Sequence, residues 1–175
     1  MGMAKVELIS WGKSVIIALA IVFIVRTFFF SPYIVEGSSM EPTLYNQEKI
    51  FVNKTVDFSR GDIIIIKGSD KNYVKRLIGF PGDKIEMKED QLFVNGKKFE
   101  EPYLSDNLKE ARQIGSRLTE NFGPINVPKH YYFVMGDNRL YSMDSRNGLG
   151  FIKEERIVGK SEFVFYPFAE VRIVK

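Results

Sequence analysis

Gln91-Leu92-Phe93-Val94-Asn95-Gly96-Lys97-Lys98-Phe99 is two short apolar-bearing runs joined by two residues. Both central positions of a two-residue hairpin turn need positive φ, which Asn and Gly adopt readily, so this stretch predicts a β-hairpin. Outward from it, residues 49–53, 62–67, 73–78, 83–87, 91–94, 97–99, 131–135, 156–158 and 161–166 all read as strands. Arg60-Gly61-Asp62 and Pro81-Gly82 mark turns between them. Residues 107–118 alone look helical after the first thirty, and Gly115 weakens that helix. Many short strands with sparse helix predict a mainly β domain, an antiparallel sheet folded over as a barrel or sandwich.

The amino-terminal end follows a different rule. Residues 14–25 are almost unbroken Ile, Val, Ala, Leu and Phe, followed by Arg26-Thr27 and Phe28-Phe29-Phe30. The run approaches the length a tilted helix needs to cross a bilayer, and Trp11 and Tyr33 stand where interfacial aromatics belong. Arg26, near one end, is long enough to snorkel. The run is apolar on every side, unlike a soluble domain's amphipathic helix, and no small-residue cleavage site follows it. The expected organisation is a tail at 1–13, one transmembrane helix at 14–31 and an extracytoplasmic domain at 32–175. Lys5 and Lys13 on the short flank place the tail in the cytoplasm by the positive-inside rule.

Composition removes several chemistries. The absence of cysteine excludes a disulfide framework, a thiol nucleophile and thiolate metal sites together. A single histidine, His130, leaves little for His-assisted catalysis or a multi-histidine metal centre, so no metal and no cofactor are expected. The 25 basic and 22 acidic residues are interspersed, so nothing calls for a nucleic-acid partner, and the surplus of +3 suits acidic lipid headgroups. The sequence is silent on oligomeric state.

Three stretches can carry chemistry. Gly37-Ser38-Ser39-Met40-Glu41-Pro42-Thr43-Leu44 opens the long polar region; it reads as a flexible turn or as the setting of a reactive hydroxyl. In Tyr73-Val74-Lys75-Arg76-Leu77, strand alternation puts Lys75 on the face of Tyr73 and Leu77 and Arg76 on the other. Lys75 is then either an edge-strand gatekeeper or a desolvated amine able to act as a general base. In the stretch from Phe133 through Gly136-Asp137-Asn138-Arg139 to Ser142-Met143-Asp144-Ser145-Arg146, a hydrophobic strand runs into a turn dense in opposite charges. Partly buried ion pairs could fix its shape, and Ser142 and Ser145 offer hydroxyls to orient an amine. The paired aspartates also admit an acid-and-base or metal reading, but the arginines beside them neutralise the field a cation would need.

In order along the chain, Ser39-Met40-Glu41-Pro42-Thr43-Leu44, Arg60-Gly61-Asp62-Ile63, Lys75-Arg76 with Gly79 and Pro81-Gly82-Asp83, and Gly136-Asp137-Asn138-Arg139 with Ser142, Asp144, Ser145 and Arg146 resemble the signature boxes of type I signal peptidases. The length and single anchor resemble the short Gram-positive form. The resemblance implies an antiparallel β catalytic domain of the signal peptidase/LexA-like type. It also implies a membrane-bound serine endopeptidase that removes amino-terminal signal peptides from secreted precursor proteins. Ser39 matches the nucleophile of a Ser/Lys dyad and Lys75 its general base. Ser142 matches the hydroxyl that orients the lysine, Asp144 and Arg146 a supporting ion pair, and Arg76 and Asp137 further supports. An extended substrate would lie between Ile34, Glu36, Gly37 and Ser38 on one side and Tyr73 on the other, with small apolar pockets. Some members carry a serine where this chain has Gly37, so the oxyanion would lean on backbone N–H groups, chiefly that of Ser39. Two alternatives accompany this reading. One is a catalytically silent, membrane-anchored binding protein of the same fold, which would have no reason to keep both Ser39 and Lys75. The other is a Ser/Lys peptidase such as a self-cleaving repressor, which the anchor and the lack of a DNA-binding module disfavour.

Overall fold

The computed structural model describes residues 2–174, with side chains from residue 11 onward. Helix α1 (Gly2–Ile24) passes into a π-helical turn over Val25–Phe29 and then into strand β1 (Phe30–Ile34). The helix therefore reaches back through the segment expected as a tail, and the sheet begins within the run of phenylalanines. Its apolar part, Trp11–Phe29, has 19 residues of mean hydropathy 2.0, and none of it is buried. At 1.5 Å per residue this is about 28 Å of helix, close to the bilayer's hydrocarbon thickness.

The remaining elements are β2 (Lys49–Asn53), β3 (Ile63–Lys67), β4 (Asn72–Gly79), β5 (Lys84–Lys88), β6 (Gln91–Val94), β7 (Lys97–Phe99), α2 (Ser105–Gln113), β8 (Phe122–Asn126), β9 (Tyr131–Met135), β10 (Ile152–Lys153), β11 (Ile157–Tyr166) and β12 (Arg172–Ile173). The larger sheet has the order β1-β2-β11-β3-β4-β9-β10, with β12 on β11; the smaller has β7-β6-β5-β8. Neighbouring strands are antiparallel, from β1 on β2 through β4 on β9 to β6 on β7. Asn95 and Gly96 turn the β6–β7 hairpin at φ 53° and 76°, as the dipeptide predicts.

Several boundaries differ from expectation, each for a physical reason. The expected strands at 156–158 and 161–166 are one bulged strand, β11. Bulges let a single strand serve two neighbours of different curvature. Strand β1 shares its composition with the helix before it and contains Pro32, which an edge strand tolerates. Strand β8, with Gly123-Pro124 inside it, is likewise an edge. The helix expected at 107–118 starts earlier, at Ser105, and ends at Gln113.

Strand β3 sits between β11 and β4, and Ile63, Ile64, Ile65 and Ile66 are each at most 2% exposed. Burial of a residue this size contributes about 1.5–3 kcal/mol. Ile63 and Ile65 pack with Val35, Met40, Leu44, Ile50, Val52, Val164 and Val174 on one face. Ile64 and Ile66 join Leu77, Tyr132, Val134 and Ile152 on the other. A third cluster, including Ile78, Ile85, Leu92 and Phe133, joins the two sheets. The first cluster matters most for function, because Met40 and Leu44 flank the reactive stretch and plug it into the core.

Candidate active site

Ser39 lies between a glycine turn and a core plug. Gly37, at φ +85°, donates its N–H to Asn46 Oδ1 at 2.9 Å and reverses the chain after β1. A serine at this position would have to adopt the left-handed region, so the backbone here suits the glycine. After Ser39, Met40 and Leu44 are 1% and 0% exposed and fix the far side of the turn. The carbonyl of Ser39 accepts the Asn138 N–H at 3.1 Å, and that of Ser38 accepts from Asn138 Nδ2 at 3.1 Å. The nucleophile's backbone is thus tied to the loop after β9.

Lys75 reaches Ser39 from the middle of β4. Its Nζ lies 2.6 Å from Ser39 Oγ, donating in the ammonium form. Tyr73 and Leu77, its neighbours two residues away, pack against one cluster, whereas Val74 and Ile78 belong to the clusters of the other face, as strand alternation predicts. Lys75 is only 3% exposed. Burial lowers its pKa to about 8; Asp144 and Asp137 pull against the fall, while Lys71 and Arg146 add to it. The gatekeeper reading does not hold, because β4 lies between β3 and β9 and is not an edge.

Arg76, the next residue along β4, is 1% exposed. Its Nε and Nη2 grip the two carboxylate oxygens of Asp137 at 2.8 and 2.6 Å. Its Nη1 donates to the Gly61 carbonyl, and its guanidinium stacks 3.6 Å from the centre of the Tyr103 ring. Asp137 also accepts the Thr43 hydroxyl, which links the base strand to the nucleophile loop. Asn107 on α2 donates to the carbonyls of both Glu41 and Asp137, at 3.3 and 3.0 Å.

The loop after β9 is held by two further pairs. Asp144, fully buried, receives Arg146 Nε and Nη2 at 2.9 and 2.8 Å and the Gly136 N–H at 2.9 Å. Burial pushes the Asp144 carboxyl up, but Arg146 and the two backbone N–H donors outweigh it and hold it below the ordinary range. Arg139 pairs with Glu101, outside the loop, and not with its neighbour Asp137. Ser145 accepts the Val134 N–H and donates to the Gly150 carbonyl, so it closes the loop and orients no amine. Ser142 is buried, but its hydroxyl makes no hydrogen bond. No hydrogen bond joins it to the Lys75 amine, the contact that the resemblance implied.

Gly136 allows the close approach of these parts. A Cβ there would stand 2.2 Å from Ser142 Oγ and 2.4 Å from the Ser39 carbonyl oxygen. We expect Gly136→Ala to shift the Ser39 backbone and lower kcat/KM on a precursor by about 100-fold, the order associated with a misplacement near 1 Å. A rate within twofold of the parent's would mean that the Ser39 backbone is not held at this point.

A cleft of about 510 Å³ opens over the dyad, with Tyr33, Ile34, Glu36, Gly37 and Ser38 along one wall and Tyr73, Val74 and Lys75 along the other. All five residues expected to contact substrate line it. Tyr33, Lys71, Tyr141 and Met143 line it too and were not anticipated. Sequence reasoning also missed Thr43, Glu101, Tyr103 and Asn107, polar residues in turns and a short helix whose partners are distant in the chain. The spacing around Ser39 gives Thr43 as part of the first box, the one signal that pointed to any of them.

Residues 8–166 match the family described as signal peptidase, peptidase S26. Signal peptidase I of Bacillus licheniformis is 57% identical over 174 residues, covering 96% of this chain and 94% of that protein. Signal peptidase I T of Bacillus subtilis (strain 168) is 59% identical over 173 residues, covering 95% and 90%. The crystal structure of a signal peptidase I from Enterococcus faecalis V583 superposes with a TM-score of 0.55 at 33% identity, covering 60% of this chain and 97% of that one. With a family match over most of its length and relatives well over half identical across nearly all of it, this chain belongs to the signal peptidase family, peptidase S26.

Proposed function

We propose that Ser39 and Lys75 are the nucleophile and general base with which this signal peptidase works. The protein is a serine endopeptidase that removes signal peptides from secreted precursors. The observation that carries the residue assignment is the 2.6 Å contact between Lys75 Nζ and Ser39 Oγ at the floor of the cleft. When Lys75 is neutral, the same contact lets the hydroxyl donate to the amine. Lys75 takes the proton as Ser39 Oγ attacks the scissile carbonyl, and the backbone N–H of Ser39 serves the oxyanion. The ammonium returns the proton to the leaving nitrogen, which becomes the amino terminus of the mature protein. Water, activated by the same amine, then hydrolyses the ester on Ser39. Asp144, Arg146, Arg76 and Asp137 hold the loops, and the unpartnered Ser142 hydroxyl is the group we assign to orienting the amine between steps. Ile34, Glu36, Gly37, Ser38 and Tyr73 bind the extended substrate on the cleft walls. The silent-binder alternative finds no support, since the relatives above are all peptidases by name and the dyad is intact.

Acid quenching of the detergent-solubilised protein mixed with a secretory precursor tests the assignment. Mass spectrometry should find the signal peptide esterified to Ser39, and the Ser39→Ala variant should carry no adduct. An ester mapped to another residue would overturn it.

The lipid bilayer is the second partner in this reading, with a single pass, the amino terminus in the cytoplasm and the catalytic domain outside. Two features support it. The apolar helix feeds directly into β1, and an apolar row, Ile173, Phe163, Phe51 and Pro32, runs across paired positions of β12, β11, β2 and β1. Phe163 and Ile173 are exposed, and the rings of Phe51 and Phe163 stack at 5.0 Å. Protease added outside intact protoplasts should degrade the chain beyond residue 31; protection of that region would reverse the orientation.

A further inference from the structure

Thr43 stands at a junction in the nucleophile loop. Its hydroxyl donates to Asp137, which is gripped by Arg76, the residue beside Lys75 on β4. Its carbonyl accepts Arg172 Nη2 at 2.8 Å from the opposite side. Arg172 lies on β12 and is not among the residues that line the cleft. Its Nη1 and Nη2 also meet the two oxygens of Glu48 at 2.7 and 2.9 Å, and Nη1 donates to the Glu170 carbonyl at 3.0 Å. Glu48 is only 3% exposed and takes the Tyr45 N–H at 2.9 Å on the oxygen facing Nη2. Two residues on, Val174 packs into the same core cluster as Met40 and Leu44, and its N–H donates to the Glu162 carbonyl at 3.0 Å.

We propose that Arg172 is a positioning residue for the peptidase reaction: by holding the Thr43 carbonyl and the Glu48 carboxylate together, it fixes the loop that aims Ser39 at Lys75. The proposal rests on the dyad reading of Ser39 and Lys75. The loop runs from Met40 to Glu48 with Leu44 in the core between them, and it is restrained from the base side through Asp137, at the Glu41 carbonyl by Asn107, and from the carboxyl-terminal side through Arg172. Without the last of these, the buried carboxylate of Glu48 loses its cationic partner and the Thr43 carbonyl its donor. The loop then keeps Asp137, Asn107 and Asn138 but loses its hold on the carboxyl-terminal side, and Ser39 Oγ can drift from the 2.6 Å contact. Arginine suits this task because its planar fork reaches both carboxylate oxygens and still has an N–H left for the carbonyl. A lysine can keep the charge but, with three donors on one atom, not all four bonds. The cleft walls are untouched, so the effect belongs in turnover and not in substrate binding.

The test uses the full-length detergent-solubilised protein well below its unfolding temperature, comparing the parent, Arg172→Lys, Arg172→Gln and the double variant Glu48→Gln/Arg172→Gln. The double variant removes the unpaired buried charge, so it keeps the domain folded if Arg172→Gln alone does not. The expected result for Arg172→Gln or the double variant is a fall in kcat of about 10–100-fold per folded molecule, with KM within twofold of the parent and partial rescue in Arg172→Lys. Unchanged kcat alongside a lowered unfolding temperature would make Arg172 a brace for the fold alone and overturn the proposal. A rise in KM with kcat unchanged would overturn it also, by moving its role to substrate binding. Lys75→Ala, assayed in parallel, separates the two readings. If Lys75→Ala is inactive and the Arg172 variants turn over normally, only the positioning role fails; if Lys75→Ala cleaves at the parental rate, the dyad reading itself fails.

Discussion

Lys75→Arg and Lys75→Ala should both end precursor cleavage, with kcat falling by about 10⁴-fold or more, in a domain that still folds. Alanine leaves Ser39 without a base. Arginine retains the charge and much of the length, but its guanidinium stays protonated and cannot accept the Ser39 proton. The fold should tolerate the loss of the amine for a thermodynamic reason. Burial lowers the folded-state pKa of Lys75 to about 8, well under its value in an unfolded chain. Below pH 8 the side chain is charged in both states, and its burial opposes folding. As pH rises from about 8 toward 10.5 the folded state gives up the proton first, and that penalty fades. Removing the amine at pH 7 therefore removes a cost. Thermal melts at the assay pH should show Lys75→Ala unfolding no more than a few degrees below the parent. An arginine variant that processes precursor at the parental rate would mean that the Ser39 proton goes elsewhere.

Asp137→Ala should have the largest effect on stability, a loss of about 3–5 kcal/mol. The carboxylate is fully buried and satisfies Arg76 Nε, Arg76 Nη2 and the Thr43 hydroxyl at once. Its removal takes from the guanidinium, 1% exposed, the carboxylate that both Nε and Nη2 grip, and leaves the Thr43 hydroxyl without its acceptor. Against a total stability of about 5–15 kcal/mol, this is a large fraction. A melting temperature lower by about 10 °C is the expected reading. Unchanged melting would mean that the pair is solvated in solution.

The contrast between these two neighbours, Lys75 and Arg76, shows what was legible in the chain. Alternation along a strand was enough to put them on opposite faces, and the structure gives one the nucleophile and the other the scaffold. The Asn95-Gly96 turn and the isoleucine run of β3 were legible for the same reason: their conformational and burial preferences are local. The edge strands were not. Phe30–Ile34 carries the apolar composition of the helix it follows, and Phe122–Asn126 contains a Gly-Pro pair that argues against any strand. The site divides along the same line. Ser39, Lys75 and the Asp144–Arg146 pair sit in short dense stretches, whereas Glu101, Asn107, Glu48 and Arg172 look like ordinary surface residues until long-range packing brings them together.

The dependence of cleavage on pH tests the dyad most directly, measured as kcat/KM for a secretory precursor over pH 6–10 with the intact solubilised protein. Free-enzyme ionisation governs this quantity, and only neutral Lys75 can accept the Ser39 proton. The expected result is a rate that climbs about tenfold per pH unit below an inflection near 8 and levels above it. A rate flat across this range, or one that levels off below pH 7, would contradict Lys75 as the base.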